Sequence, residues 1–281
     1  MKELAARVEA ALGARPVEWT PRAGGYSTAD RFTVTLDDGR RVFVKSAEAP
    51  HLAAWLRREH EVYAHLNASF MPELIAFDDD GLRPLLVLED LSHADWEPRW
   101  TPERIETLRR ALRELNACEP PSATSRLEDA RPGWFTRWQQ VAEDPEPFLS
   151  LGLRARSWLD RHLHELIELS SPQHTHGDDL LHLDVRSDNV CFVDGRAVLV
   201  DWNWVTIANG ALDIAGWLPS AHLEGAPPPW ELLPAEPRFA ALLSGIWASV
   251  AGLPPPETAP TVRAFQARQL AVTLDWFDRE L

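Results

Sequence analysis

The sequence is nearly devoid of lysine: of its 28 basic residues only Lys2 and Lys45 are lysines, and all others are arginines. Cysteine is almost as scarce. Cys118 and Cys191 have no metal-type spacing and are too few for a disulfide framework, so both are expected as free thiols. No apolar run reaches the roughly 18 residues of a spanning helix. The opening MKELAARVEAALGARP, with Glu3 and Glu9, has the pattern of an amphipathic helix and not of a leader. These absences predict a soluble, cytoplasmic protein with no membrane partner. Positive charge is also short, at a net −15, and such a field repels nucleic acid while suiting a cationic small molecule. The imbalance lies in the back of the chain: residues 1–91 carry 15 acids and 11 bases, the remainder 28 acids and 17 bases.

What is present begins with those two lysines. A bias this strong toward arginine, beside many Ala, Pro and Trp residues, reads as the product of a GC-rich genome. An interior lysine then persists where a guanidinium cannot serve, as where a compact ammonium contacts phosphate as a point charge. After the first helix, Val17 to Thr20 and Arg31 to Leu36 read as strands on either side of the loop Arg22-Ala23-Gly24-Gly25-Tyr26-Ser27-Thr28, and Asp38-Gly39 turns the second strand back. Counting from that turn pairs Leu36 with Arg41, Val34 with Phe43 and Phe32 with Lys45, which returns Lys45 toward the glycine loop. His51 to Leu66 is a helical stripe of Leu52, Trp55, Leu56, Val62, Tyr63 and Leu66. Glu59 falls in the middle of that stripe and Glu61 on the opposite side. A buried carboxylate needs a cation, and Lys45 is the natural partner.

Further on, Leu74 to Phe77 and Leu85 to Leu88 are two more strands, which complete a small antiparallel sheet packed by one helix. Beyond Ser92 the pattern turns helical. Thr101-Pro102 caps a helix with Ile105, Leu108, Leu112 and Leu115 inward, Asn116 to Pro132 reads as loop, and helices are predicted over Gly133 to Val141, Leu153 to Leu169, Arg238 to Ala251 and Thr261 to Leu281. Most of the thirteen tryptophans are expected in the core, with one or two left to wall a substrate cleft.

Between these helices lies HLDVRSDNVCFVDGRAVLVD, from His182 to Asp201. Val190 to Val193 and Ala197 to Val200 form a hairpin through Asp194-Gly195, a two-residue turn of type I′. Its register pairs Cys191 with Val198 and Val190 with Leu199, sets Asn189 beside Val200 and leaves Asp201 at the open end, where a cation could bridge the amide and the carboxylate. His182-x-Asp184 has no apolar periodicity, so Asp184 is presented from a loop. Oxygen ligands of this kind suit magnesium, which keeps waters and takes one or two protein carboxylates with phosphate oxygens. The nearby His176-Gly177-Asp178 begins in the same way but has Leu183 where an Asn would be required, and reads as loop.

His182-x-Asp184-x-x-x-x-Asn189 followed by Asp201 resembles the catalytic loop and metal segment of the aminoglycoside phosphotransferase and choline kinase family, relatives of protein kinases. The resemblance implies an α+β, bilobal protein-kinase-like fold, with a nucleotide-binding lobe over 1–91 and a catalytic and substrate-binding lobe over 92–281. It makes Asp184 the catalytic base, Asn189 and Asp201 the Mg2+ ligands, and His182 a support of the loop. Lys45 held by Glu59 corresponds to the kinase ion pair on the nucleotide phosphates. Gly24, Gly25, Tyr26, Ser27 and Thr28 occupy the phosphate-covering loop, and the backbone of Glu89 to Leu91 the adenine contact. Asp213, in GALDIA, matches a second acidic motif and is structural. Arg186 stands between base and metal ligand, and stabilising the transferring phosphate or bracing the loop are equally open to it.

The implied activity is ATP-dependent phosphorylation of a hydroxyl on a small cationic molecule, an aminoglycoside or a basic peptide antibiotic of the capreomycin and viomycin type. Choline, a fructosamine or a homoserine-like metabolite remain alternatives, as does a nucleotide-binding regulator without turnover. Trp202-Asn203 after Asp201, in place of Phe-Gly, and the absence of an Ala-Pro-Glu segment point away from a protein kinase. Asp178, Asp179, Glu224 and Glu231 are candidate acceptor contacts. The oligomeric state is left open.

Overall fold

The computed structural model describes residues 1–22, 29–97, 99–257 and 259–281. The chain forms two compact units, Met1–Glu97 with Asp188–Val205, and Pro98–Ser187 with Thr206–Leu281. In the first, α1 (Lys2–Leu12) leads into β1 (Pro16–Pro21), β2 (Asp30–Leu36), β3 (Arg41–Ser46), α2 (Pro50–Leu66), β4 (Leu74–Asp78) and β5 (Leu85–Glu89). The strands make one antiparallel sheet in the order β1-β2-β3-β5-β4. Alternation assigns its faces. Val34, Leu36, Val42 and Val44 point to the side covered by Leu4 and Val8 of α1, so Lys45 emerges on the other side, where α2 brings Glu59.

The β2–β3 register departs from the count made on the sequence by one residue. Thr35 pairs with Arg41, Val34 with Val42, Thr33 with Phe43 and Phe32 with Val44, so that Lys45 lies opposite Arg31. Leu36 N–H bonds Arg40 C=O at 2.9 Å, and Gly39 adopts φ +88°. The loop therefore holds three residues, Asp37 to Gly39, closed by a left-handed glycine, and not the two-residue Asp38-Gly39 turn assumed in the count. Helix α2 also differs in part: Leu52, Leu56, Glu59, Val62 and Tyr63 are buried as expected, but Trp55 is 48 % exposed.

The second unit starts with α3 (Pro102–Asn116), whose Thr101 hydroxyl accepts the Arg104 N–H and whose predicted inward leucines are buried. It continues through short helices α4 (Leu127–Ala130), α5 (Arg137–Glu143) and α6 (Glu146–Ser150), then α7 (Arg156–Leu169) and β6 (Asp179–Leu181). The chain next supplies the hairpin β7 (Val190–Val193) and β8 (Arg196–Leu199) to the first unit. There Cys191 pairs with Val198 and Val190 with Leu199, the expected register, around Asp194 and Gly195 at φ +50° and +72°. Leu91, Cys191, Val193 and Val198 form its own apolar cluster. Strand β9 (Thr206–Ala208) pairs with β6 in the second unit, which ends in α8 (Ala211–Leu223), α9 (Pro229–Leu232), α10 (Pro237–Ala248) and α11 (Val262–Glu280). No helix among the described residues is long and apolar enough to cross a membrane.

Trp138 of α5 anchors this helical unit. It is fully buried, its indole N–H bonds Ala241 C=O at 2.8 Å, and it packs edge-on to Phe148. Gly245 of α10 is its floor, since a Cβ there would stand 2.8 Å from the indole. Trp138→Ala is expected to lower unfolding stability by about 3–5 kcal/mol, measured as a shift in urea midpoint at constant slope.

Candidate active site

In the first unit the expected ion pair forms and gains a third member. Lys45 Nζ lies 2.6 Å from Glu59 Oε2 and 3.0 Å from Asp201 Oδ1. Lys45 is 6 % exposed and Glu59 only 1 %. Burial works to strip the Lys45 proton, but the two carboxylates more than offset it, and its pKa lies above the ordinary value. For Glu59 burial raises the pKa and the Lys45 charge works against that rise. The phenol of Tyr63, buried beside both carboxylates, is pushed well above its usual range, by burial first. Burial also raises the Cys191 thiol, to about 12, and Glu89 adds to the shift.

The turn after β8 presents Asp201. Its backbone sits at φ +67°, the left-handed region that Asp tolerates better than most residues. Asn203 Nδ2 donates to the same Oδ1 that meets Lys45. Val200 N–H bonds Asn189 C=O at 3.0 Å, so Asn189 continues the ladder opposite Val200 as the count predicted. A carboxylate and an amide oxygen make a hard, two-ligand donor set. Among the described residues no cluster of three or more His, Cys, Asp or Glu gathers as a metal site. Hard oxygen donors of this kind fit Mg2+ completed by phosphate oxygens and water.

In the second unit the segment from His182 leaves β6 as a loop. Asp213, in the first turn of α8, accepts the N–H of His182 on Oδ2 at 2.8 Å and that of Leu183 on Oδ1 at 2.7 Å. Leu183 stands at φ +63°, a strained setting for a branched side chain that these two bonds hold in place. Asp184 N–H reaches His182 Nδ1 at 3.3 Å, and Arg186 Nε lies 4.0 Å from Asp184 Oδ1. Burial pushes the Asp213 carboxyl up to about 7, against its two N–H donors and with help from the Asp184 charge.

Several candidate acceptor contacts have partners within the protein. Asp178 pairs with Arg126 at 2.6 Å, Asp179 accepts the Gly210 N–H, and Glu224 accepts Ser187 Oγ at 2.6 Å and Trp100 Nε1 at 2.8 Å. Of the positions expected at adenine, Glu89 N–H bonds Glu73 C=O, while Leu91 C=O accepts from Ala94 N–H and the Trp96 indole. Gly25 and Ser27, with Gly24, Tyr26 and Thr28, lie outside the described residues. The β6–β9 pair and the Ser187–Glu224–Trp100 group were not foreseen. Three-residue strands carry too little periodicity to be read, and no spacing rule links Ser187 to Glu224.

The profile of the Phosphotransferase enzyme family matches residues 18–253. The chain belongs to that family. Solved structures agree on the fold of this phosphotransferase, which is protein-kinase-like. Aminoglycoside-3′-phosphotransferase of type VIII is 20 % identical, with a TM-score of 0.53 over 96 % of this chain and 98 % of its own. An amicoumacin kinase in complex with AMP-PNP and Ca2+ is 13 % identical, at 0.55 over 99 % and 93 %. A choline/ethanolamine kinase family protein from Mesorhizobium loti is 14 % identical, at 0.55 over 99 % and 97 %. None of the curated proteins matches the phosphotransferase.

Two measurements check the site's electrostatics. Glu59→Ala leaves the buried Lys45 with Asp201 alone and is expected to cost about 3–5 kcal/mol of stability, read by urea unfolding. Asp213 is more readily protonated folded than unfolded, so its contribution is whole below pH about 4 and is lost as pH rises through about 7. The stability of the phosphotransferase relative to Asp213→Asn should therefore fall between pH about 4 and about 7, by up to about 1.4 kcal/mol per pH unit, and level off above that. A constant difference would contradict the raised value.

Proposed function

We propose that this phosphotransferase moves the γ-phosphoryl group of ATP to a hydroxyl of a small cationic molecule, an antibiotic of the aminoglycoside or basic peptide class that the transfer would inactivate. The observation that carries the reading is the Lys45 ammonium, buried and gripped by Glu59 and Asp201. A charge held out of water at a fixed point is suited to anchoring phosphate, and its position changes little when phosphate arrives. The AMP-PNP bound to the amicoumacin kinase supports a nucleotide as the donor.

Phosphoryl transfer asks a protein for positioning and charge neutralisation more than for covalent chemistry. Asp184 would accept a hydrogen bond from the acceptor hydroxyl. As the new P–O bond forms and the bond from the γ-phosphorus to the bridging oxygen breaks, the hydroxyl proton passes to the Asp184 carboxylate and ADP leaves. Asn189 and Asp201 would hold Mg2+, which when bound offsets the negative charge on the phosphate oxygens. Arg186, close to Asp184, either faces the transferring group or braces the loop. The −11 net charge of residues 92–281 favours a cationic acceptor. A metabolite kinase acting on choline, a fructosamine or a homoserine-like compound is the second reading, favoured by the choline/ethanolamine kinase family protein among the structural relatives.

The test is coupled ADP release with Mg2+ and ATP across aminoglycosides, basic peptide antibiotics, choline and a fructosamine. One cationic antibiotic class is expected to stimulate release, and Asp184→Asn to lower its kcat by roughly 10²–10⁴ with the KM for ATP little changed. Stimulation by choline or a fructosamine alone would replace the antibiotic reading with the metabolite one. ATP binding without release, identical in wild type and Asp184→Asn, would point to a silent regulator.

A further inference from the structure

Helix α8 holds the catalytic loop at two points. Asp213 in its first turn takes the N–H groups of His182 and Leu183. Glu224, its C-terminal cap residue, takes the Ser187 hydroxyl at 2.6 Å. Eleven residues of helix span about 16 Å, and four residues of loop, Leu183 to Ser187, reach about 14 Å when extended, so the loop runs along the helix with a carboxylate at each end. Between these two points stand Asp184 and Arg186.

Glu224 is itself fixed in place. Its N–H closes on Ser220 C=O, Gly225 follows at φ +100°, and the Ala226 N–H returns to Ala221 C=O, which locks the helix end. Its second oxygen accepts the Trp100 indole at 2.8 Å, and Trp100 packs edge-on to Trp217 of α8 with centroids 4.7 Å apart. An indole only donates, so the oxygen facing Trp100 must accept, while the Ser187 hydroxyl, which can donate or accept, here donates to the other carboxylate oxygen. Hydrogen bonds to an ionised group are shorter and stronger than neutral ones.

We propose that Glu224 is a positioning residue for phosphoryl transfer, ordering the end of the catalytic loop through Ser187 while Trp100 holds the carboxylate in aim. The proposal rests on the assignment of Asp184 to the acceptor hydroxyl, and it removes Glu224 from the residues that would contact the acceptor.

The experiment compares wild type with Glu224→Ala, Glu224→Gln, Ser187→Ala and the Ser187→Ala/Glu224→Ala double variant. The probe is ATP with Mg2+ and water as acceptor, read as ADP release. Deuterium uptake of residues 182–189 is measured in parallel. Glu224→Ala should lower kcat by up to about 10²-fold, with the KM for ATP within about twofold, and raise uptake over 182–189 but not over 211–223. A Gln side chain can turn its oxygen to Trp100 and its NH2 to Ser187 Oγ, so Glu224→Gln should restore most of both readouts. The double variant should lose no more than the worse single one, because both substitutions break the same bond. Unchanged uptake in Glu224→Ala would overturn the proposal, and so would additive losses in the double variant or a fall in kcat matched by the fall in folded fraction. If Asp184→Asn releases ADP as fast as wild type, the transfer reading fails, while uptake over 182–189 still decides whether Glu224 orders the loop.

Discussion

An ammonium taken out of water has to bring its counter-charge with it, and the first unit is arranged around that requirement. Lys45 comes from the middle of the sheet, Glu59 from the helix on the open face and Asp201 from the end of the β7–β8 hairpin. Three pieces of chain far apart in sequence are thus drawn to one nitrogen. Breaking even between desolvation and attraction is the usual energetic outcome for such a group, so its worth lies in fixing a position and not in stability. Geometry elsewhere follows from it. The face of β3 that carries Lys45 must be the face α2 covers, and α1 is left to close the other with Leu4 and Val8.

The second unit meets a different constraint with the same means. The loop from His182 to Ser187 has no regular backbone ladder to hold it. It is secured by its backbone and by one hydroxyl, and both anchors are carboxylates of a single helix. The strain of Leu183 at φ +63° is sustained by this over-determination, since two N–H groups converge on one buried acid.

How much of this could be read in the sequence depended on the range of each interaction. The β7–β8 register was legible because Asp194-Gly195 defines a two-residue turn and leaves no freedom in counting. The Asp38-Gly39 turn looked alike, yet the strands slipped by one because Gly39 closes a three-residue loop, a difference of one backbone conformation that composition does not encode. Glu59 could be chosen over Glu61 because a charge in the middle of an apolar stripe is anomalous. Trp55 obeyed the same stripe and was nevertheless exposed, since apolar spacing says which side a residue occupies and not whether the neighbouring element extends far enough to cover it. Glu224 was legible only as one of several acids counted as candidate acceptor contacts; its bonds to Ser187 and Trp100 belong to tertiary structure alone.

The scarcity of lysine has a practical side in covalent chemistry. Amine-directed reagents attack the neutral amine, and Lys45 is both buried and held protonated by its two carboxylates. Of the two lysines, acylating reagents would consume Lys2 first, leaving Lys45 silent. Its reactivity then becomes a gauge of the carboxylate grip, rising whenever Glu59 or Asp201 lets go, against a background of one other lysine.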